Sequence, residues 1–340
     1  MYCIFILPRT LIVQSGRRQP DIEITIDPLH QPTNVRAQLK MNHLSQTMDK
    51  LSNHWRKRAV VNNGGDPSFN IPLEADKEDF LPELLPFFNT PQWRAAPAQM
   101  KRDVLSYAWV LYNHKTVYVE SELITPVCED LLKGRYPISC AFKTQEIIAQ
   151  AMVDEAVHTQ MSINAANAIL TLRDLPSPEY HRFFMTSRRD HLLSQHADAR
   201  AKRLVALGIA CASETLVTDY LDKIATADTI QPLCRQVTAA HANDELAHSS
   251  VFTIILENVI HSLSEEEKEL VVRSIFESVA MFANKELDVW RSVLKQLNFP
   301  DYEAMLAASS DEPDTAVYVN GVSNLLERTG LTSYREAVAA

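Results

Sequence analysis

Two four-residue stretches constrain this chain more than any other feature. Glu155-Ala156-Val157-His158 and Glu245-Leu246-Ala247-His248 repeat one Glu-x-x-His pattern ninety positions apart. On an α-helix, residues three apart share a face, so each pair can grip the same ion. Two such helices, each partnered by a helix with one inward glutamate, hold two metal ions in the core of a four-helix bundle. Glu120 and Glu214 supply the lone glutamates, and His241 stands one turn before Glu245.

Spacing supports this more strongly than residue type. Glu120 and Glu155 are 35 positions apart, and the turn signal Lys133-Gly134-Arg135-Tyr136-Pro137 lies about midway. Glu214 and Glu245 are 31 apart, with a break between Ala227 and Pro232 near the middle. In an antiparallel hairpin, residues equidistant from the loop sit at one height, here about 14 residues or roughly 20 Å along the helix. Val117, Leu123, Ile124, Met152, Leu207, Val237 and Phe252 surround the glutamates with apolar stripes. A buried carboxylate is costly unless it is paired or binds metal. Glu122 points about 200° away from Glu120 round the helix, so Glu120 is the expected ligand.

The remainder of the chain agrees with an all-α fold. Of 340 residues only seven are glycine, and 46% are hydrophobic. Helices are expected over about 98–133 with a kink at Pro126, 141–173, 179–194, 196–226, 231–261, 264–297 and 315–338. The fifth long helix opens on the capping sequence Ser264-Glu265-Glu266-Glu267. Gly208, in the third bundle helix, marks a close helix crossing or room for a substrate. Residues 1–97 read as a wrap packed on a core of 98–340, the whole forming one globular unit. Within the wrap, Ile22, Ile24 and Ile26 alternate like a short strand, and Thr33 or Asn34 can cap a helix.

Composition removes several function classes. A net charge of −10 disfavours nucleic acid and anionic membrane surfaces. No run approaches 18 apolar residues, so no membrane span is expected. The apolar start, Tyr2 to Leu7, is too short for a signal peptide. The five cysteines are scattered without a Cys-x-x-Cys, as in a reduced cytoplasmic protein.

Four glutamates bring −4 and two divalent ions +4, a balance that a dry core can tolerate. Carboxylate and imidazole together suit iron, with manganese the second choice. His241 alone reads either as a core histidine paired to an acid or as a further ligand. Asp154 and Asp244, each just before a motif glutamate, either accept a ligand histidine's N–H or face solvent.

Glu120, Asp154-Glu155-Ala156-Val157-His158-Thr159, Glu214 and His241-Ala242-Asn243-Asp244-Glu245-Leu246-Ala247-His248 together resemble the p-aminobenzoate N-oxygenase family. The arylamine oxygenase of chloramphenicol biosynthesis is similar. The resemblance covers about residues 98–260. It implies a ferritin-like di-iron bundle with seven protein ligands: Glu120, Glu155, His158, Glu214, His241, Glu245 and His248. It also implies the reaction. Two electrons reduce the iron pair, dioxygen binds to give a peroxo-diferric species, and oxygen passes to an amine nitrogen, giving hydroxylamine, nitroso or nitro products.

The expected partners are a small-molecule amine, dioxygen, an external electron donor and a second copy of the chain in a homodimer. A carrier protein presenting a tethered amino acid is a further option, docked on the basic stretch Arg182, Arg188, Arg189, Arg200, Lys202 and Arg203. Competing functions are N-oxygenation of an aliphatic amino acid, ferroxidase activity and catalase activity. A radical subunit is disfavoured, because Ser162 stands where a tyrosine would be needed.

Overall fold

A computed structural model describes residues 35–63, 71–138, 141–309 and 319–334. The chain divides into a unit of residues 1–42 and a compact unit of residues 43–340. The expected strand at 22–26 and the caps at Thr33 and Asn34 lie outside the described residues. The helices run in chain order: α1 Val35–Arg58, α2 Pro91–Ala95, α3 Ala98–Tyr118, α4 Thr125–Leu132, α5 Ala141–Arg173 and α6 Phe184–Ser194. They continue with α7 Ala199–Ala225, α8 Pro232–Val259, α9 Glu265–Ala283, α10 Leu287–Gln296, α11 Tyr302–Ala308 and α12 Val319–Thr329. Among the described residues the one β pairing is an isolated bridge between Glu78 and Ile230. The protein is all-α, with a ferritin-like bundle at its centre.

The bundle consists of the α3–α4 rod, α5, α7 and α8. The α3–α4 rod packs on α5, α5 on α8, and α7 on both α8 and α9. Gly134, at φ +66°, turns the chain between α4 and α5. Such a left-handed backbone suits a residue without Cβ. α7 is long and apolar enough to cross a membrane, but most of it is buried inside the protein. Gly208 is where α7 meets α9: a Cβ there would lie 2.7 Å from the Val271 carbonyl oxygen and 2.8 Å from Ser274 Cβ. The glycine therefore serves the helix crossing.

The rod is not one kinked α-helix. Residues Val119–Ile124 form a π-helical stretch, in which the Thr125 N–H bonds the Glu120 carbonyl, five residues back. Pro126 follows at the start of α4. Proline has no N–H for the carbonyl four residues earlier, Glu122, and its ring crowds that position. The wider π turn relieves the crowding, and Arg189 of α6 donates to the Glu122 carbonyl at 2.8 Å instead. The distortion thus lies upstream of the proline, around Glu120 itself.

Other elements also differ from expectation. The helix expected over 264–297 is two helices, α9 and α10. The Asn284 side-chain oxygen accepts the Glu286 N–H at 2.8 Å, and Glu286 adopts φ +51°. This local side-chain turn outcompetes the helix although no glycine or proline is present. The connecting helix begins at Phe184 rather than 179, and the last helix ends at Thr329, before Gly330 at φ +72°. The capping box at Ser264 and Glu267 is formed on both sides.

Residues 71–97 pack on the bundle through Phe80, Leu81, Leu85, Phe87 and Trp93, and one buried acid ties them down. Asp79 takes two hydrogen bonds from Arg173 of α5, at 2.9 and 2.7 Å, and one from Ser106 of α3 at 2.6 Å. The Asp79 carboxylate beside it raises the Arg173 guanidinium above its usual range. A buried charge so fully paired fixes where the segment sits.

Candidate metal centre

All seven residues marked by the sequence meet in the bundle core, and all are buried. Glu120 comes from the π stretch, Glu155 and His158 from α5, Glu214 from α7, and His241, Glu245 and His248 from α8. Their donor atoms form overlapping groups: Glu120, His158, His241 and Glu245; Glu155, His158, Glu245 and His248; and Glu120, Glu155 and Glu214. Within each group the atoms lie within 4.8 Å of one another. Glu122 turns the other way, half-exposed, with Arg182 at 3.3 Å and Arg189 at 3.4 Å.

The two motif histidines are braced crosswise. His158 of α5 directs Nε2 to Asp244 of α8 at 3.3 Å, and His248 of α8 directs Nε2 to Asp154 of α5 at 3.2 Å. Each aspartate is itself held. Asp154 accepts the Trp55 indole N–H at 3.0 and 2.9 Å, and Asp244 accepts the Val60 backbone N–H at 3.3 Å. Donating Nε2–H to an aspartate fixes both Nδ1 atoms toward the cluster, the arrangement that orients a histidine for metal binding. Trp55 of α1 and Val60 in the turn after it thereby support the site, a role that no motif in the sequence marks.

The centre's inner atoms are poorly satisfied by one another. Glu155 Oε1, Glu214 Oε2 and His248 Nδ1 are buried without hydrogen bonds. His248 Nδ1 is 3.0 Å from Glu155 Oε1, 3.4 Å from Glu245 Oε1 and 3.8 Å from Glu214 Oε2. The first of these distances is short, but the atoms are not in line for a hydrogen bond. Buried polar atoms rarely stay unpaired, and lone pairs aimed at one point are what a cation requires. The donors are nitrogen and oxygen alone, a set suited to iron or manganese. The residues present therefore fit a metal pair.

Electrostatics tell the same story. Burial, with the Glu155 charge adding, pushes the Glu120 carboxyl from 4.5 up to about 8. Burial and the Glu245 charge push Glu214 well above the usual range. At Glu155 burial is outweighed by the His248 charge, which brings the carboxyl down to about 2. Glu245 is held well below the usual range, because its histidine neighbours overcome burial. His158 and His248 stand well above the ordinary imidazole value, as the surrounding carboxylates overcome burial. Four acids cannot all ionise in one dry pocket without added positive charge.

A cavity of about 410 Å³ reaches the cluster at Glu120 and His241. Tyr112, Thr116, Val119, Phe183, Leu216 and Tyr220 are among its walls. The size and apolar lining suit a small organic ligand. The buried Tyr112 hydroxyl stands beside Thr116 and Thr238 without a well-formed hydrogen bond, and burial raises its pKa. No local sequence motif marks these residues, because they converge from loops and helices far apart in the chain. His114, outside the cluster, bonds the Tyr180 hydroxyl at 2.9 Å. Four of the six residues in the basic stretch are engaged internally: Arg182 with Asp190, Arg188 with Glu277, Arg189 with Glu122 and Asp190, and Arg200 with Glu267.

A ferritin-like helical bundle with carboxylates and imidazoles closed on one buried point is the class this fold and site define. A profile of the P-aminobenzoate N-oxygenase AurF family matches residues 42–330. A 4-aminobenzoate N-oxygenase of Streptomyces thioluteus is 27% identical over 263 residues, which cover 75% of each chain. The chain belongs to the p-aminobenzoate N-oxygenase family, and it is an enzyme of that kind, an amine N-oxygenase.

Proposed function

We propose that the chain is a di-iron N-oxygenase of a small aryl amine, held at the end of the cavity where Glu120 and His241 meet it. The observation that carries this reading is the convergence of seven donors, three of them with unpaired inner atoms, beside a ligand-sized cavity. Glu120, Glu155, His158, Glu214, His241, Glu245 and His248 would hold two iron ions. When bound, such a pair supplies the redox capacity to activate dioxygen and pass oxygen to an amine nitrogen. Asp154 and Asp244 keep the imidazoles aimed, and the packed helices keep bulk water from the reacting nitrogen. The apolar cavity walls orient the ring so that its amine faces the cluster. Oxidising an amine to a hydroxylamine with dioxygen requires two electrons and two protons and releases water. The electrons come from an external donor. The family assignment leaves the ferroxidase and catalase alternatives without support.

A homodimer is the proposed assembly. On the outer face of α5 the exposed positions Ala149, Val153, Ala156, Gln160, Ile163 and Asn167 carry no charge, and Leu246 of α8 is 67% exposed. Val153, Ile163 and Leu246 are the large apolar side chains exposed there, and a second copy would cover them.

The function is tested by giving iron-loaded protein a reductant, air and a panel of aromatic and amino-acid amines, with products read by mass spectrometry. Gain of one or two oxygens on an aryl amine is the expected result. Dioxygen consumption that leaves every amine unchanged overturns the reading.

A further inference from the structure

We infer that Lys115 and Glu286 together read the end of the substrate remote from the oxidised nitrogen, and that this end carries both a hydrogen-bond acceptor and a donor, as an amide or a zwitterionic amino-acid head group does. The inference rests on the N-oxygenase reading of the same cavity and names its substrate class. Lys115 and Glu286 both line that cavity. Lys115 stands five positions before Glu120 on the same rod, roughly 7.5 Å along the axis, about the length of one substituted aromatic ring.

The pair is built but not closed. Lys115 Nζ lies 3.5 Å from Glu286 Oε1, longer than a charge-assisted hydrogen bond of about 2.7–2.9 Å. Glu286 is 8% exposed, and its Oε1 has no hydrogen-bond partner. Its other oxygen is committed, accepting the Phe184 N–H at the start of α6 at 2.6 Å. The Lys115 ammonium rests over the Phe282 ring at 5.9 Å. That leaves one nearly buried acceptor and one ammonium with donors to spare, side by side. A carbonyl or carboxylate oxygen can take the lysine while an N–H gives to the glutamate. A bare carboxylate would satisfy Lys115 but meet the Glu286 charge in the same space.

The backbone supplies an independent sign. Glu286 sits at φ +51°, a left-handed conformation that is unfavourable for a non-glycine residue. Strain of this kind persists where surrounding structure holds a side chain in a required place. Here the Asn284 side chain fixes the Glu286 N–H, and the result is a carboxylate presented to the cavity.

The test uses full-length iron-loaded protein and three probes: 4-aminobenzoate, 4-aminobenzamide and 4-aminophenylalanine. Calorimetry reads binding and mass spectrometry reads turnover. The benzamide, the phenylalanine analogue or both are expected to bind about tenfold tighter than the benzoate, since an unpaired buried group costs about that much. Which of the two binds tighter separates the neutral amide from the zwitterion. Glu286→Gln keeps the acceptor for Phe184 and is expected to shrink the preference to roughly threefold or less, with the change in KM rather than kcat. Lys115→Met, which leaves the α6 contact intact, is expected to weaken all three probes. A benzoate bound as tightly as both other probes, a preference unmoved by Glu286→Gln, or no binding of any probe overturns the inference. A binding preference as described, with no probe oxygenated, leaves the inference standing and removes the N-oxygenase reading.

Discussion

At the scale of single residues, the centre depends on aspartates that never point at it. Asp154 and Asp244 hold the far nitrogens of His248 and His158. Asp154→Asn or Asp244→Asn is expected to lower iron affinity about 10–100-fold, measured by competition with a chelator, while helicity by circular dichroism stays unchanged. Glu122→Ala is expected to keep full iron, because its carboxylate meets Arg182 and Arg189 outside the cluster. The seven donors were legible because Glu-x-x-His spacing and equal distance from a turn are sequence properties. The aspartates were legible only as an even choice between bracing a histidine and facing solvent: a neighbour of a ligand points about 100° away, and only the helix opposite decides whether that direction is inside.

The acids also set a pH response of protein stripped of metal by chelation. Glu120 is raised from 4.5 to about 8, and Glu214 is raised with it. A carboxyl with a raised folded pKa stabilises the fold below its unfolded value, and that stability is lost as pH rises through the folded value. The raised imidazoles of His158 and His248 act in the same direction. The Tm of the metal-free protein is therefore expected to fall between about pH 5 and pH 8, and added Fe2+ to abolish the fall. A metal-free Tm that is flat or rising over that window would contradict the proposed crowding of acids.

At the scale of elements, the helices α5, α7 and α8 follow from apolar periodicity and turn residues, and their observed ends lie within a few positions of those expected. Two features escaped because they are decided by competition between hydrogen bonds. The π stretch depends on Arg189 from α6 replacing the N–H that Pro126 lacks. The break between α9 and α10 depends on Asn284 capturing the Glu286 N–H. Neither contact is visible in local composition. Gly208→Ala is expected to cost about 1–3 kcal/mol, since the Val271 carbonyl is backbone and cannot swing aside. Ser264→Ala is expected to cost about 1 kcal/mol through loss of its N-cap on α9. Urea unfolding of both variants checks the order, with the glycine change the larger.

At the scale of the whole molecule, two helical hairpins bring carboxylates and imidazoles to one depth, a fifth helix packs on α7, and a cavity meets the cluster at Glu120 and His241. The sequence specified the depth through its spacings but held no signature of the cavity, which is assembled from residues more than two hundred positions apart, Phe80 to Trp290. The most direct measurement is the iron content of the purified chain loaded with Fe2+ without oxygen and freed of excess, beside that of Glu155→Ala and His248→Ala. Two iron ions per chain in the unaltered protein and less than one in either variant is the expected result. An unaltered protein that retains no iron, or variants that keep two, would contradict a buried pair held by these side chains.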